Sequence, residues 1–516
     1  MDECDILDPT TTPPPPPPPP LVLLHGYANG SMYFYRNLRG LSYYFGNVYA
    51  LDMLGWGLSS RPRFDLIRAS TVPSSSAIAE DDDDDDDDAI DDATRYRVRN
   101  AESFFVESIE RWRVHHSLPK LTLAGHSMGG YLATAYAERY PHRVHRLILL
   151  SPVGVPRRPD IDEGTSLVDR MPFYARYPLR VARYLFERYG TTPGDFLRSL
   201  PHSHSRSMVE SYVDRRLPSL ATRNDERDAL GEYLYQNSML PGSGEYCLPE
   251  LLTASAYARV PLVDRIPRIV VPTSSATTTT TTTTTNTTTN DDRDVDVVDA
   301  RNGMEIHMIY GQRDWMDYRG GLDSQRACRE RRVEWERRRR RRMEMGGGDG
   351  GHYGDVGPPP PRVYVHGVRD AGHLLMLDNH EEFNAAVILA AGGDMSALPT
   401  GTSRPVEFVY RMEEGEDDGG GGGGVMPISH GGGRGWRRGE GGDDEGDVDD
   451  GKSGTSPSGT TGYGGGREVL VGEDAAASFF IIARRRGGGR GDEKIVDDGG
   501  GVIVRYWTGM MRSYGG

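Results

Sequence analysis

The chain carries only three cysteines in 516 residues, Cys4, Cys247 and Cys328, far apart in sequence. Three thiols so placed make neither a disulfide framework nor a zinc pattern, and their scarcity points to a reducing, intracellular compartment. No run of about 18 apolar residues occurs, so no transmembrane helix is expected. The amino terminus lacks the basic start and apolar stretch of a secretory signal, and the arginine-rich character of a transit peptide. Hydrophobic residues are also scarce, at 36%. The length alone would suggest roughly two to four domains, but the well-mixed, core-forming sequence amounts to about 280 residues, or one domain. The net charge of −16 is gathered in acidic blocks, chiefly residues 80–88, so it says little about the folded surface and does not favour nucleic acid as a partner.

Glycine and proline are abundant instead, at 65 and 34 residues, inflated by homopolymer runs. Residues 1–20 end in eight prolines and read as a disordered, extended arm. Residues 73–92 (acidic), 273–290 (poly-threonine) and 320–361 (an arginine run, then Gly and Pro) read as low-complexity inserts. Residues 392–516 read as a mostly disordered Gly/Asp-rich tail, with some apolar content in 467–483.

Between the inserts, short apolar runs at 21–25, 47–52, 121–124, 146–151, 305–310 and 363–366 read as strands. Helical patterns fall between them, with Phe104, Phe105, Ile109 and Trp112 at helical spacing. Strands alternating with helices predict an α/β domain over 21–391, with a mostly parallel sheet and ligands at the carboxyl ends of the strands. Residues 152–272 lack strand-like runs and are rich in Tyr, Arg and Leu, which reads as a helical cap inserted between core strands.

The most informative stretch is Gly125-His126-Ser127-Met128-Gly129, a G-x-S-x-G pattern with an apolar strand before it and a helix-forming segment after it. That order suits a nucleophile elbow. The serine sits on a sharp strand-to-helix turn, small residues two before and two after it avoid clashes, and the helix amino terminus favours developing negative charge. A serine needs a base, and in this arrangement the chain order is Ser, then Asp or Glu, then His. Tyr310-Gly311-Gln312-Arg313-Asp314 puts an acid just past one strand, with Asp317 in the same loop as the alternate. Ala371-Gly372-His373 puts a histidine just past the last strand. His373 is the expected general base and Asp314 its orienting partner. The amides of Met128 and Tyr27 are the expected oxyanion donors. No metal site is expected; His202 and His204 show no ligand-like grouping with carboxylates.

These residues carry a resemblance. Leu-Val-Leu-Leu-His-Gly-Tyr (21–27), Leu-Asp-Met-Leu-Gly-Trp-Gly-Leu-Ser-Ser-Arg-Pro (51–62), Phe-Phe-Val-Glu-Ser-Ile-Glu-Arg-Trp-Arg (104–113), Leu-Pro-Gly-Ser-Gly-Glu-Tyr-Cys (240–247), Ala-Arg-Val-Pro-Leu (258–262) and Tyr-Gly-Gln-Arg-Asp-Trp-Met-Asp (310–317) stand beside the elbow. The chain resembles the α/β-hydrolase branch of the cardiolipin deacylase, the lysophosphatidic acid acyltransferase-like proteins and the lipid-droplet lipase coactivators. The resemblance implies a serine-dependent acyl hydrolase or acyltransferase on (lyso)glycerophospholipids, working through an acyl-enzyme. No cofactor is implied, with acyl-CoA a co-substrate only where transfer operates. The same likeness implies either a cytoplasmic protein or one peripheral on mitochondria, endoplasmic reticulum or lipid droplets.

His373-Leu-Leu-Met-Leu-Asp378 matches a further motif associated with acyl transfer; the alternative is that Asp378 caps the following helix. The coactivators of the branch lack the nucleophile. Ser127 is present and favours an enzyme over the runner-up reading, a lipid-surface scaffold regulating a lipase. The branch carries a β-hairpin ahead of its first strand here. Residues 1–20 do not supply one, so an uncovered sheet edge is expected.

Overall fold

The computed structural model describes residues 18–64, 90–159, 173–271, 302–345, 357–393, 467–473 and 479–485. Most of the arm, the poly-threonine insert, most of the acidic insert and most of the tail lie outside them.

Six apolar runs form β1 (Leu21–Leu24), β2 (Asn47–Asp52), β3 (Leu121–His126), β4 (Val144–Leu150), β5 (Glu305–Gly311) and β6 (Arg362–Val368). Their order is β6-β5-β4-β3-β1-β2, and every pairing among them is parallel. A parallel sheet is covered on both faces, which is why its strands read as continuous apolar runs. All four residues of β1 are fully buried.

Successive side chains point to opposite faces. Val22 and Leu24 share a core with Phe105, Ile109 and Trp112 of α2 (Asp92–His115) and with Tyr131 and Leu132 of α3 (Met128–Arg139). Leu21 and Leu23 share the other core with Leu41 and Phe45 of α1 (Leu38–Phe45), and with Phe383 and Ile388 of the His380–Ala390 helix. Each fully buried Leu or Phe contributes about 1.5–3 kcal/mol relative to exposure. The cap comprises α4 (Phe173–Tyr189), α5 (Pro193–Ser199), α6 (His202–Arg216) and α7 (Asn224–Met239).

Four features differ from the sequence reading. Residues 320–361 do not form one polar insert. Arg319–Met345 is a single helix, and its first turns lie on β6 with Ser324 and Cys328 buried and Gln325 Nε2 donating to Val363 O at 2.9 Å. Its inner face is made of small residues (Gly321, Ser324, Cys328), which gives helix and strand close approach but only a weak hydrophobic signal.

Asp91 and Asp92, assigned to the acidic insert, start α2. Asp91 accepts a hydrogen bond from Thr94 N at 2.8 Å, which is an N-cap.

The cap segment narrows as well. Leu248, Leu251, Leu262 and Ile266 return to the α2 side of the sheet and belong to its core.

The fourth difference concerns the sheet edge and the tail. The edge beyond β2 is covered by β8 (Phe479–Arg485), antiparallel to β2, with β7 (Arg467–Glu473) beyond it. The tail therefore supplies a hairpin where an open edge was expected, and β2 gains a hydrogen-bonding partner.

Candidate active site

β3 runs directly into Ser127, whose backbone takes φ 54° and ψ −114°. A non-glycine residue there stores on the order of 1–3 kcal/mol of strain, held by its surroundings. Those surroundings are visible. Ser127 N donates to Leu150 O of β4 at 2.9 Å, and Ser127 O accepts from Gly130 N at 3.0 Å. The flanking glycines are required sterically. A Cβ on Gly125 would stand 2.2 Å from Gly129 O, and one on Gly129 would stand 2.5 Å from Leu24 O.

The carboxyl ends of β5 and β6 bring the other two residues in. Ser127 Oγ lies 3.1 Å from His373 Nε2, and His373 Nδ1 lies 3.0 Å from Asp314 Oδ1. The Asp314 carboxylate also accepts from Met316 N at 3.0 Å, and its side chain is 1% exposed. Burial pushes the Asp314 carboxyl up, but the hydrogen bond and charge of His373, with the Met316 amide, hold it below the usual carboxylate range. An ionised Asp314 keeps the proton of His373 on Nδ1, so Nε2 is free to accept from the Ser127 hydroxyl. Asp317 is not part of this relay. Its side chain is 52% exposed, and it accepts from Arg319 N at the start of the Arg319–Met345 helix.

Met128 begins α3, and Tyr27 follows Gly26 in the loop after β1. Both line the same cavity as Ser127 and His373. The β1 loop is firmly built. His25 is fully buried, accepts from Met53 N on Nε2 at 3.1 Å and so donates from Nδ1 to Gly26 O at 2.8 Å. Asn237 of α7 donates to Asn29 O at 2.8 Å and accepts from Gly57 N at 3.1 Å, tying cap to loop.

Three supporting residues have roles that the sequence did not assign to them. His126, the variable residue before the serine, is buried. Its pKa is pushed down to about 3 by desolvation first and by the neighbouring His373 second. It is neutral, and its Nε2–H donates to His373 O at 2.8 Å. Trp315 also lies against His373, with ring centroids 4.9 Å apart. Ser219, at the cap edge, donates to Asp378 Oδ1 at 3.0 Å, while Asp378 Oδ2 accepts from Gly372 N at 2.9 Å. Asp378 thus braces the backbone just before His373. It does not cap the next helix; Asn379 does, accepting from Glu382 N at 3.3 Å.

The cavity above Ser127 measures about 490 Å³. Its lining includes the apolar Val153, Leu248, Leu252 and Met316, together with Tyr212, Arg215 and Arg216 of the cap. The apolar lining fits an acyl chain, and the relay fits attack on an ester carbonyl. Among the described residues, no group of three His, Cys, Asp or Glu is placed to hold a metal ion. No helix of the described residues is long and apolar enough to cross a membrane.

Comparison with known proteins agrees with this architecture. The profile of the α/β hydrolase fold family matches residues 19–288. A probable 1-acylglycerol-3-phosphate O-acyltransferase of Oryza sativa subsp. japonica is 26% identical over 78% of this chain and 75% of its own length. The 1-acylglycerol-3-phosphate O-acyltransferase of Arabidopsis thaliana is 27% identical over 60% of this chain. The human 1-acylglycerol-3-phosphate O-acyltransferase ABHD5 is 34% identical over 48% of this chain. The alignments span 58% of the Arabidopsis protein and 58% of the human one.

Proposed function

The chain belongs to the α/β hydrolase fold family, and from that premise we propose that it is a serine-dependent acyl hydrolase or acyltransferase acting on (lyso)glycerophospholipids. The observation that carries the reading is the Ser127–His373–Asp314 relay, at 3.1 and 3.0 Å, on a strained elbow beside an acyl-sized cavity. The substrate class is supported by relatives named for acyl transfer to 1-acylglycerol-3-phosphate.

In this reading Ser127 Oγ attacks the acyl carbonyl while its proton passes to His373 Nε2. The oxyanion forms against the amides of Met128 and Tyr27. Collapse expels the donor's oxygen or sulfur with the proton from His373, leaving Ser127 acylated. Water or a lysolipid hydroxyl then gives its proton to His373 and takes the acyl group, and Ser127 recovers its proton. The donor is a glycerophospholipid ester, such as that of cardiolipin, or an acyl-CoA thioester. No metal or resident cofactor enters this scheme. The site of work is a lipid surface.

The test uses an acyl-labelled donor, either phospholipid or acyl-CoA, with and without lysophosphatidic acid. Wild type should release labelled fatty acid or form labelled phosphatidic acid, and Ser127→Ala should do neither. Equal turnover by the two proteins refutes the proposal.

A further inference from the structure

The cavity mouth carries a charge feature that the acyl relay does not use. Arg215 and Arg216 end α6, and both line the cavity that holds Ser127 and His373. Among the described residues neither forms an ion pair, although a neighbour does. Asp214, the residue before them, is held by Arg227 at 2.5 Å. The Arg216 guanidinium stands 5.9 Å from the centre of the Trp315 ring, and that ring stands 4.9 Å from His373. The stack sets a cation one aromatic ring away from the general base. The third arginine at the mouth, Arg313, is spent elsewhere, donating to Asp370 O at 2.7 Å.

The carboxylates nearby are committed. Asp314 accepts from His373 and Met316 N. Asp378 accepts from Ser219 and Gly372 N. Two open guanidinium forks remain in a cavity whose lining also holds the apolar Val153, Leu248 and Leu252 and the nucleophile Ser127. Such forks match the geometry of phosphate oxygens.

We infer that Arg215 and Arg216 form a subsite for the phosphate of a phosphomonoester glycerolipid, seating its headgroup at the cavity mouth while the acyl chain lies along Val153, Leu248 and Leu252. The inference rests on the lipid reading above and adds the residues that read the headgroup. It makes the cap a selector for anionic lipid over neutral glyceride. Because the site sits at a solvent-facing mouth, its selectivity weakens with salt.

The test measures binding, so that it stands apart from catalysis. Full-length protein carrying Ser127→Ala is titrated with dihexanoyl phosphatidic acid, with dihexanoylglycerol and with inorganic phosphate alone. Phosphatidic acid should bind about tenfold tighter than the neutral glyceride, the scale of one charge-assisted contact. Arg215→Gln with Arg216→Gln should bring that ratio close to one. The paired Arg→Lys variant, which keeps the charge but loses the fork, should restore part of it and also reports on folding. A ratio unchanged by the double Gln variant, or already near one in the parent, overturns the inference. Inorganic phosphate binding as tightly as phosphatidic acid would make this a free-phosphate site and overturn the lipid assignment. The catalytic reading fails separately, through loss of Ser127-dependent turnover in the unsubstituted protein.

Discussion

Replacing Asp314 with Asn tests the relay at its least exposed member. The carboxylate is buried and receives two hydrogen bonds, from His373 Nδ1–H and from Met316 N–H. Asn keeps the size but offers one acceptor and one NH2 donor. Both donors meet the same oxygen, Oδ1, so an Asn oxygen in that place keeps both bonds but brings no charge to stabilise the imidazolium, whereas an NH2 in that place loses both and turns His373 to the Nε2–H tautomer. That tautomer cannot accept the Ser127 proton. Loss of the orienting charge in such a relay costs on the order of 10⁴-fold in kcat, or about 5.5 kcal/mol of transition-state stabilisation.

Asp317→Asn is the internal control. That side chain is half exposed and pairs with Arg319 at 3.7 Å, so kcat should change less than about twofold. Hydrolysis of a short-chain p-nitrophenyl ester by both variants, with a thermal melt for each, is the assay. An Asp314→Asn enzyme retaining a tenth of wild-type kcat while folded, or a crippled Asp317→Asn enzyme, would refute the assignment of the acid.

Asp378→Ala leaves the half-buried Ser219 hydroxyl and Gly372 N–H without their acceptor, at a cost of about 1–3 kcal/mol. We expect hydrolysis and acyl transfer to fall together by about tenfold; a change in the product ratio alone would instead give Asp378 a part in acceptor choice. Stability should fall on acidification. Burial holds His126 and His307 down to about 3 and His366 to about 4, below the unfolded value of about 6.5. The unfolded chain therefore takes up more protons below pH 6.5. Stability present above that pH is lost as pH falls toward 4, by up to about 1.4 kcal/mol per pH unit for each group. A urea midpoint equal at pH 7 and pH 5 would contradict this. Deleting residues 320–361 removes the helix on β6 and should give insoluble protein, whereas a soluble, active deletion would mean that this helix is dispensable.

Much of this was legible in the sequence because it is written locally. The elbow needs glycines at two fixed offsets, and the strands are unbroken apolar runs because both sheet faces are covered. The acid and base follow strands whose order fixes the sheet edge they share. The misread parts lack such local signals. The Arg319–Met345 helix meets β6 through Gly321, Ser324 and Cys328, and its arginine run hides even that small face. The β7–β8 hairpin pairs with β2 across more than 400 residues, which no local pattern reveals. His126 and Trp315 look ordinary in sequence, and their work depends on the loop folded over them. The choice between Asp314 and Asp317 was open in sequence because both lie in one loop; burial and the 3.0 Å contact with His373 separate them geometrically.

The central claim is that Ser127 is an activated nucleophile. Treating the full-length protein with a fluorophosphonate and mapping the adduct by peptide mass spectrometry tests it most directly. The account predicts one adduct, on Ser127, absent in Ser127→Ala and formed far more slowly in His373→Ala. Unlabelled Ser127, or labelling that proceeds equally well without His373, would contradict it.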